Sequence, residues 1–355
     1  MAKNFASVLI DTYNHELFIE QAIASVLEQD FPISDREILV VDDGSTDRTA
    51  EIVGKFEPRV RLLRKENGGQ ASAFNTAIPE CKGEIVAFLD GDDWWAPNKL
   101  SRVARAMAAD PSVGIVGHGI VNVHRDGRSQ VETLREGFRF RATTMEGARL
   151  FRRRGAFLGT SRMTIRADVL RRIGGIPEPI EIQADEYLFT LSCVLSSAQI
   201  LPEALTCYRY HDANSFQLAS HDPQKLRRKQ KSLAMLATSI SRQLESLGID
   251  PQVRRTVIEY TQASAEQLRL TIDGGWPWET VKTERKIYEI LYPEATFSHR
   301  LFKLLILLGA FVMPPRAFYS VQRTLAQSGL YRSIRGHLLP APEMEHIQKD
   351  WRTGS

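Results

Sequence analysis

The sequence indicates a cluster of carboxylates that could bind a cation. Its aspartates come at or just after the ends of apolar runs: Asp11, Asp42, Asp43, Asp90, Asp92 and Asp93. Carboxylates that a fold brings together repel one another unless a cation or hydrogen-bond donors compensate. Their oxygens suit hard divalent ions, which commonly bridge protein carboxylates to the phosphates of a substrate. These residues therefore predict a Mn²⁺ or Mg²⁺ site that acts on a phosphate-bearing substrate.

Short apolar strands alternate with amphipathic segments along the same part of the chain. Apolar runs predict strands at residues 7–10, 37–41, 60–63 and 85–89. A helix is expected after the first strand, and Thr46 or Asp47 can cap another after the second. Continuous apolar strands separated by helices indicate a parallel sheet covered on both faces. Ligands bind at the carboxyl ends of such strands, so the aspartates are expected to form one composite site.

Composition and charge exclude several classes of protein. The chain has 355 residues, of which 43% are hydrophobic, which is enough to bury a substantial core. A net charge of +3 is too small to indicate a nucleic-acid-binding protein. The cysteines at 81, 193 and 207 form no CxxC pair and support neither a disulfide framework nor a zinc site. The N-terminus does not have the pattern of a secretory signal, so we expect a cytoplasmic protein.

Four motifs resemble the successive signatures of family 2 glycosyltransferases. They lie at residues 7–14, 41–47, 67–69 and 88–93, in the order and spacing of the family. The resemblance implies an α/β protein with the GT-A fold, a Rossmann-like and mostly parallel sheet with helices on both faces, followed here by a C-terminal helical appendage. It also implies a metal-dependent, inverting enzyme that moves a sugar from a nucleotide-diphosphate sugar, expected to be a UDP-sugar, to an acceptor hydroxyl.

The resemblance assigns roles on the donor side of the site. Residues implied to bind the nucleotide sugar are Thr12, Tyr13, Asn14, Asp43, Asn67, Gly69, Gln70, Asp90 and Asp92. Those implied to hold the metal are Asp92, Asp93 and His211, and those beside the diphosphate are Arg209 and His211. Asp43 is expected to accept a hydrogen bond from the base. Two positions depart from the family pattern, because Asp11 replaces the usual proline and Phe74 stands where many relatives carry an arginine.

An acidic pair, Asp185 and Glu186, precedes a helix-like apolar stretch in the middle of the chain. The resemblance places the catalytic base here, at Asp185 in preference to Glu186. A base is needed because an acceptor hydroxyl is a poor nucleophile until its proton is removed. From the local sequence alone, Asp185 equally suits the N-cap of the helix that follows, a role that is compatible with catalysis.

The chain after residue 220 is predicted to be helical. The expected domains are 1–220, with a nucleotide-sugar half at 1–100 and an acceptor-side half at 101–220, then a helical region at 221–295 and a basic, apolar segment at 296–355. A leucine stripe in the helical region is typical of ordinary core and is compatible with a homodimer. The last segment is basic and apolar, with no acidic residue between Glu294 and Glu343. It predicts a helix that binds anionic lipid through residues 300–336 on the inner face of the cell membrane; a buried helix is the alternative.

Two other functions are open from the sequence. A nucleotidyltransferase that makes nucleotide sugars shares the parallel sheet and the metal, although it has a glycine-rich basic loop where this chain has residues 11–14. A non-catalytic scaffold with the same fold would keep Asp43 and tolerate the loss of Asp185. By analogy alone, the acceptor is expected to be a glycan or a lipid-linked glycan in cell-surface polysaccharide or glycolipid synthesis.

Overall fold

The computed structural model describes residues 5–211, 222–292 and 296–327. The first of these ranges belongs to one compact unit and the other two to a second. The predicted domain boundary at residue 220 lies outside the described residues.

The first unit is built on one mixed sheet. Its strands are β1 Ala6–Thr12, β2 Arg36–Asp42, β3 Arg61–Arg64, β4 Ile85–Asp90, β5 Trp94–Trp95, β6 Val113–Val123, β7 Ser129–Glu132, β8 Phe138–Phe140, β9 Thr164–Arg166 and β10 Ser197–Arg209. They lie in the order β3-β2-β1-β4-β9-β6-β10-β5, with β7 beside β6 and β8 beside β10. The neighbours from β3 to β4 are parallel, as are β6 and β10, whereas β9 runs antiparallel between the two groups.

Helices pack around this sheet: α1 Ile19–Leu27, α2 Thr49–Gly54, α3 Gly69–Ala77, α4 Lys99–Ala109, α5 Met145–Arg154, α6 Ala167–Ile173 and α7 Ala184–Leu195. The apolar spacing of α1 places Ile23 and Val26 in one buried cluster with Val8 and Ile10 of β1. Burying each such side chain stabilises the fold by about 1.5–3 kcal/mol. α2 begins at Thr49, three residues after Thr46, which is the earlier of its two predicted caps.

Strand register brings the aspartates to one edge of the sheet. Asp11 of β1 lies directly beside Asp90 of β4, and Thr12 lies beside Asp42 of β2. Because these strands are parallel, their carboxyl ends meet at the same edge, and the polar residues that follow them converge there.

The second unit is helical, with α8 Pro223–Ser246, α9 Pro251–Asp273, α10 Pro277–Leu291, α11 Phe297–Val312 and α12 Pro315–Gln327. The leucine stripe of α8 is buried within this chain as far as Leu244, so it serves as core in the structure described. Leu270 of α9, Ala310 of α11 and Phe318 of α12 share a core, which joins the two predicted C-terminal regions in one unit. Every helix within the described ranges is too short or too polar to cross a bilayer.

Candidate active site

Asp43, directly after β2, anchors the loop that follows β3. Its carboxylate accepts hydrogen bonds from Lys65 Nζ at 2.6 Å, from the Gly68 amide at 3.0 Å and from the Gly69 amide at 2.7 Å. The side chain of Asn67 donates to the Asp43 carbonyl oxygen at 3.0 Å. Asp43 is therefore occupied by its own loop, and a nucleotide base would have to exchange with one of these donors.

Gly69 is required at its position by close packing. It has a φ of +80°, and a Cβ there would lie 2.8 Å from the carbonyl oxygen of Glu181. Any other residue would push the loop away from Asp43 and from the chain before α7. The neighbouring Gln70 spans the same gap, because its amide donates to Thr160 Oγ1 at 3.2 Å and accepts from the Ala184 amide at 3.0 Å.

The residues after β1 divide between exposed and structural positions. Tyr13 is 44% exposed, whereas Thr12 is buried with its hydroxyl 3.2 Å from His15 Nδ1. Asn14 has a left-handed φ of 55° and accepts a hydrogen bond from the Thr46 amide at 2.8 Å. Tyr13 is thus presented to solvent, while Asn14, which is also exposed, ties the first loop to the second.

The acidic loop after β4 is held from inside the protein. Asp92 and Asp93 are buried, and Ser161 Oγ lies 2.6 Å from Asp93 Oδ2 and 3.2 Å from Asp90 Oδ2. The Arg209 amide donates to Asp93 Oδ1 at 3.0 Å, and Arg209 Nε donates to the carbonyl oxygen of Asp92 at 3.0 Å. Arg209 thus braces the loop, with its guanidinium 4.6 Å from the centre of the Trp94 ring.

Burial and mutual repulsion shift the pKa values of this cluster. Desolvation, followed by the charge of Asp92, raises the pKa of Asp11 to about 7. The pKa of Asp90 is raised well above its usual value by burial and then by Asp11, and that of Asp93 by burial and then by Asp92. Burial opposes ionisation of Asp92 as well, but its hydrogen bond with His211 holds the pKa of Asp92 below the usual value. The cluster therefore retains protons that a cation would displace.

Two histidines flank Asp92. His211 Nε2 lies 2.8 Å from Asp92 Oδ2, and its ring packs 4.6 Å from that of Phe18. His15 Nε2 lies 3.8 Å from the same oxygen. His211 was predicted from the sequence and His15 was not, although the position of His15 in the loop after β1 was a usable signal. The structure joins Asp92 and His211, two of the predicted metal ligands, by a direct contact.

Asp185 lies in the first turn of α7 rather than at its N-cap. Gln183 holds the N-cap position with a left-handed φ of 64°, so the capping alternative does not describe this helix. Asp185 is buried, and its carboxylate accepts from the Thr160 amide at 3.1 Å and from the Glu186 amide at 2.9 Å. Burial raises the pKa of Asp185 despite these hydrogen bonds, which suits a proton acceptor. Glu186 is the less buried of the pair and lies 3.4 Å from Gln183 Nε2.

The two departures from the family pattern have different surroundings. Phe74 is fully buried against Phe88, with their ring centres 5.3 Å apart, so it contributes to the core. Asp11 faces the acidic cluster, and its Oδ1 is buried without a hydrogen-bond partner among the described residues.

The donor atoms at this edge fit a divalent cation in type. Carboxylate oxygens with one imidazole are suitable ligands for Mg²⁺ or Mn²⁺, and the unpartnered oxygen of Asp11 marks a place where positive charge is needed. Across the part of the chain that the structure describes, no three His, Cys, Asp or Glu side chains converge into a complete metal site. A cation here would therefore need further ligands, and substrate phosphate oxygens are of the right kind.

The chain is similar in sequence to glycosyltransferases. Residues 7–174 match the family model described as Glycosyl transferase family 2. An uncharacterized glycosyltransferase of Nostoc sp. is 30% identical over 77% of this chain and 89% of its own length. Chondroitin synthase of Pasteurella multocida is 36% identical over 34% of this chain, which spans only 13% of that longer protein.

Two solved structures share the fold. Staphylococcus aureus TarS 1-349 in complex with UDP-GlcNAc superposes with a TM-score of 0.57 at 18% identity, covering 98% of this chain and 97% of that one. A mannosyltransferase of Pyrobaculum calidifontis, in complex with GDP-Man and Mn²⁺, has a TM-score of 0.53 at 19% identity and covers 94% of this chain and 83% of its own.

Proposed function

Because this chain belongs to glycosyl transferase family 2, we propose that the sugar it transfers comes from a nucleotide-diphosphate donor and that the transfer inverts the anomeric centre. The chain is a glycosyltransferase with the GT-A fold, and its relatives support a role in polysaccharide synthesis. The single observation that carries the proposal is the pairing of a buried carboxylate, Asp185, with a separate acidic loop at one sheet edge. Family membership favours glycosyl transfer over both the nucleotidyltransferase and the scaffold interpretations.

The donor site would lie between the loops after β1, β2 and β4. Tyr13, which is exposed, is suited to pack against a base, while Asp43 and its loop form the wall behind it. Asp90 and Asp92 would contact the ribose and the diphosphate at the edge of the sheet. The solved neighbours in complex with UDP-GlcNAc and GDP-Man support a nucleotide sugar as the donor class, and a UDP-sugar is our expectation.

Asp92, Asp93 and His211 are the residues that would hold a divalent cation. A bound Mn²⁺ or Mg²⁺ supplies Lewis-acid stabilisation of the charge that develops on the leaving diphosphate. The Mn²⁺ complex of the Pyrobaculum calidifontis neighbour supports a divalent cation in this fold. Arg209 keeps the acidic loop in place through two hydrogen bonds, and Asp185 takes the proton of the acceptor hydroxyl as that oxygen attacks the sugar.

Cation binding should release protons and weaken at low pH. Burial and the charge of Asp92 raise the pKa of Asp11 to about 7, so this carboxyl is partly protonated near neutrality and loses its proton when a cation binds. The pKa values of Asp90 and Asp93 are raised in the same direction by burial and by neighbouring carboxylates. We expect Mn²⁺ affinity to fall between about pH 8 and about pH 6, with net proton release. Calorimetric titration of Mn²⁺ in two buffers of different ionisation enthalpy measures that release. Identical heats in both buffers and a pH-independent affinity would contradict the assignment.

One helix of the second unit exposes a continuous apolar face. On α11 the exposed side chains follow helical spacing: Phe297, Leu301, Leu304, Leu305, Leu308, Phe311 and Val312. Arg300 of α11 and Arg316 of α12 are exposed in the same unit, and the sequence around them contains no acidic residue. We propose that this face lies in the interface of an anionic membrane. The residues beyond 327 that were predicted to contribute lie outside the described residues.

Polar substitution on this face should weaken vesicle binding. Leu305 and Leu308 are 61% and 54% exposed, so the double change to glutamine should spare folding. Burying a leucine contributes about 1.5–3 kcal/mol, so binding to phosphatidylglycerol vesicles should fall at least about tenfold. The matched control is the double change of Leu17 and Ile33 to glutamine, which are 81% and 78% exposed in the first unit. Equal binding by both variants and the wild type, in a cosedimentation assay, would refute the membrane proposal.

A further inference from the structure

A short 3₁₀ turn, Thr160–Arg162, touches both halves of the proposed active site. Ser161 is buried, and its hydroxyl lies 2.6 Å from Asp93 Oδ2 and 3.2 Å from Asp90 Oδ2. The Asp90 amide also donates to this hydroxyl at 3.1 Å. The Ser161 hydroxyl thus contacts side-chain atoms at both ends of the acidic loop and a backbone atom at its start.

The backbone of Ser161 is itself fixed by an unusual number of donors. Its carbonyl oxygen accepts from Trp95 Nε1 at 3.0 Å, from Lys99 Nζ at 3.2 Å and from Thr206 Oγ1 at 2.6 Å. Trp95 of β5 and Lys99 of α4 lie close together in the sequence, whereas Thr206 belongs to β10, much later in the chain. The Lys99 side chain is fully buried, with Nζ 3.4 Å from the centre of the Trp95 ring. Burying a lysine is costly, so its use here indicates that the position of this carbonyl is tightly specified.

The residue before Ser161 contacts the proposed base. The Thr160 amide donates to Asp185 Oδ2 at 3.1 Å, and Thr160 Oγ1 accepts from Gln70 at 3.2 Å. Adjacent residues of one turn therefore hold Asp185 on one side and the acidic loop on the other. Any shift of this turn would move the base relative to the aspartates.

We propose that Ser161 is a positioning residue that sets the geometry of Asp90 and Asp93, and through it the affinity of the site for its divalent cation. The inference rests on the proposed function, since it assumes that the acidic loop holds a metal. Partners that orient metal ligands typically change metal affinity about 10–100-fold when they are removed. Without the Ser161 hydroxyl, Asp93 Oδ2 loses its 2.6 Å contact, while the three bonds to the Ser161 carbonyl keep the turn in place.

The test compares Ser161→Ala with Ser161→Thr and with a matched control. Ser192 is also fully buried in the first unit, and its hydroxyl has no hydrogen-bond partner among the described residues, so Ser192→Ala should be neutral. Mn²⁺ affinity is measured directly from the free Mn²⁺ signal in electron paramagnetic resonance, and thermal unfolding is recorded for each variant. We expect Ser161→Ala to weaken Mn²⁺ binding at least about tenfold. Ser161→Thr should restore most of that loss, because it returns a hydroxyl, and Ser192→Ala should match the wild type.

The outcomes separate this inference from the proposed function. Wild-type binding of Mn²⁺ together with unchanged binding by Ser161→Ala would overturn the positioning role alone. Weakened binding in Ser161→Ala that Ser161→Thr does not restore, with a parallel loss of thermal stability, would also overturn it and leave a purely structural residue. Failure of the wild type to bind Mn²⁺ would instead overturn the metal-dependent function, and this inference with it.

Discussion

Replacing Asp185 by asparagine should slow glycosyl transfer by about 10²–10⁴-fold while leaving nucleotide binding unchanged. The asparagine side chain keeps the shape of the carboxylate. Its oxygen can still accept a hydrogen bond from the backbone amide of Thr160, which lies 3.1 Å from Asp185 Oδ2 in the wild type. It cannot take a proton from an acceptor hydroxyl. Transfer is measured as release of the nucleoside diphosphate in the presence of acceptor, and nucleotide affinity by calorimetry.

Glu186→Gln is the matched control for that change. Glu186 is the neighbouring carboxyl and is less buried than Asp185, so its loss should reduce transfer much less. If Asp185→Asn retained full activity while Glu186→Gln lost it, the base would be Glu186. If both retained full activity, the base would lie elsewhere and the assignment of this pair would be wrong.

Replacing Asp92 by alanine should remove the metal-dependent part of nucleotide binding, a loss at least as large as the about 10–100-fold that follows removal of a metal ligand's partner. Asp92 is the carboxylate that lies 2.8 Å from His211. Its hydrogen bond with His211 lowers the pKa of Asp92, so this carboxylate is ionised and can bind a cation without first losing a proton. Binding measured with a chelator present should be equal in the variant and the wild type. The comparison therefore isolates the contribution of the cation.

Asp126→Ala provides the control for general loss of negative charge. Asp126 lies in an exposed turn and pairs with Arg128. Its replacement should leave Mn²⁺-dependent binding intact. An Asp92→Ala protein that folds normally and shows an unchanged Mn²⁺ titration would remove Asp92 from the proposed metal site.

The parallel half of the sheet and its acidic edge were predictable because they depend on local patterns. Continuous apolar runs end in aspartates, and parallel strands place their carboxyl ends together, so Asp11 and Asp90 become neighbours in register. The antiparallel insertion of β9 between β4 and β6 was not predicted, since a three-residue strand of Thr, Ile and Arg carries little signal of its own.

The supporting contacts of the site were not predictable from the sequence. Ser161 lies about seventy positions after the aspartates it contacts. From the sequence, Lys99 is predicted to be an ordinary solvated residue at the start of a helix, whereas its side chain contacts the Ser161 carbonyl. Such residues acquire their roles only when distant strands are packed together. Asn14 and Gln70 were predicted to meet the donor, and the structure shows them bonded to neighbouring loops, an arrangement that local sequence cannot distinguish from ligand binding.

Calorimetric titration of UDP, GDP and CDP, with and without Mn²⁺, measures whether this protein binds a nucleotide through a divalent cation. We expect one of these nucleotides to bind when Mn²⁺ is present, a chelator to weaken that binding, and Asp92→Ala to abolish the difference. Binding that is equally tight with Mn²⁺ and with chelator, or no binding of any nucleotide in the presence of Mn²⁺, would contradict a metal-dependent nucleotide-sugar site at this edge of the sheet.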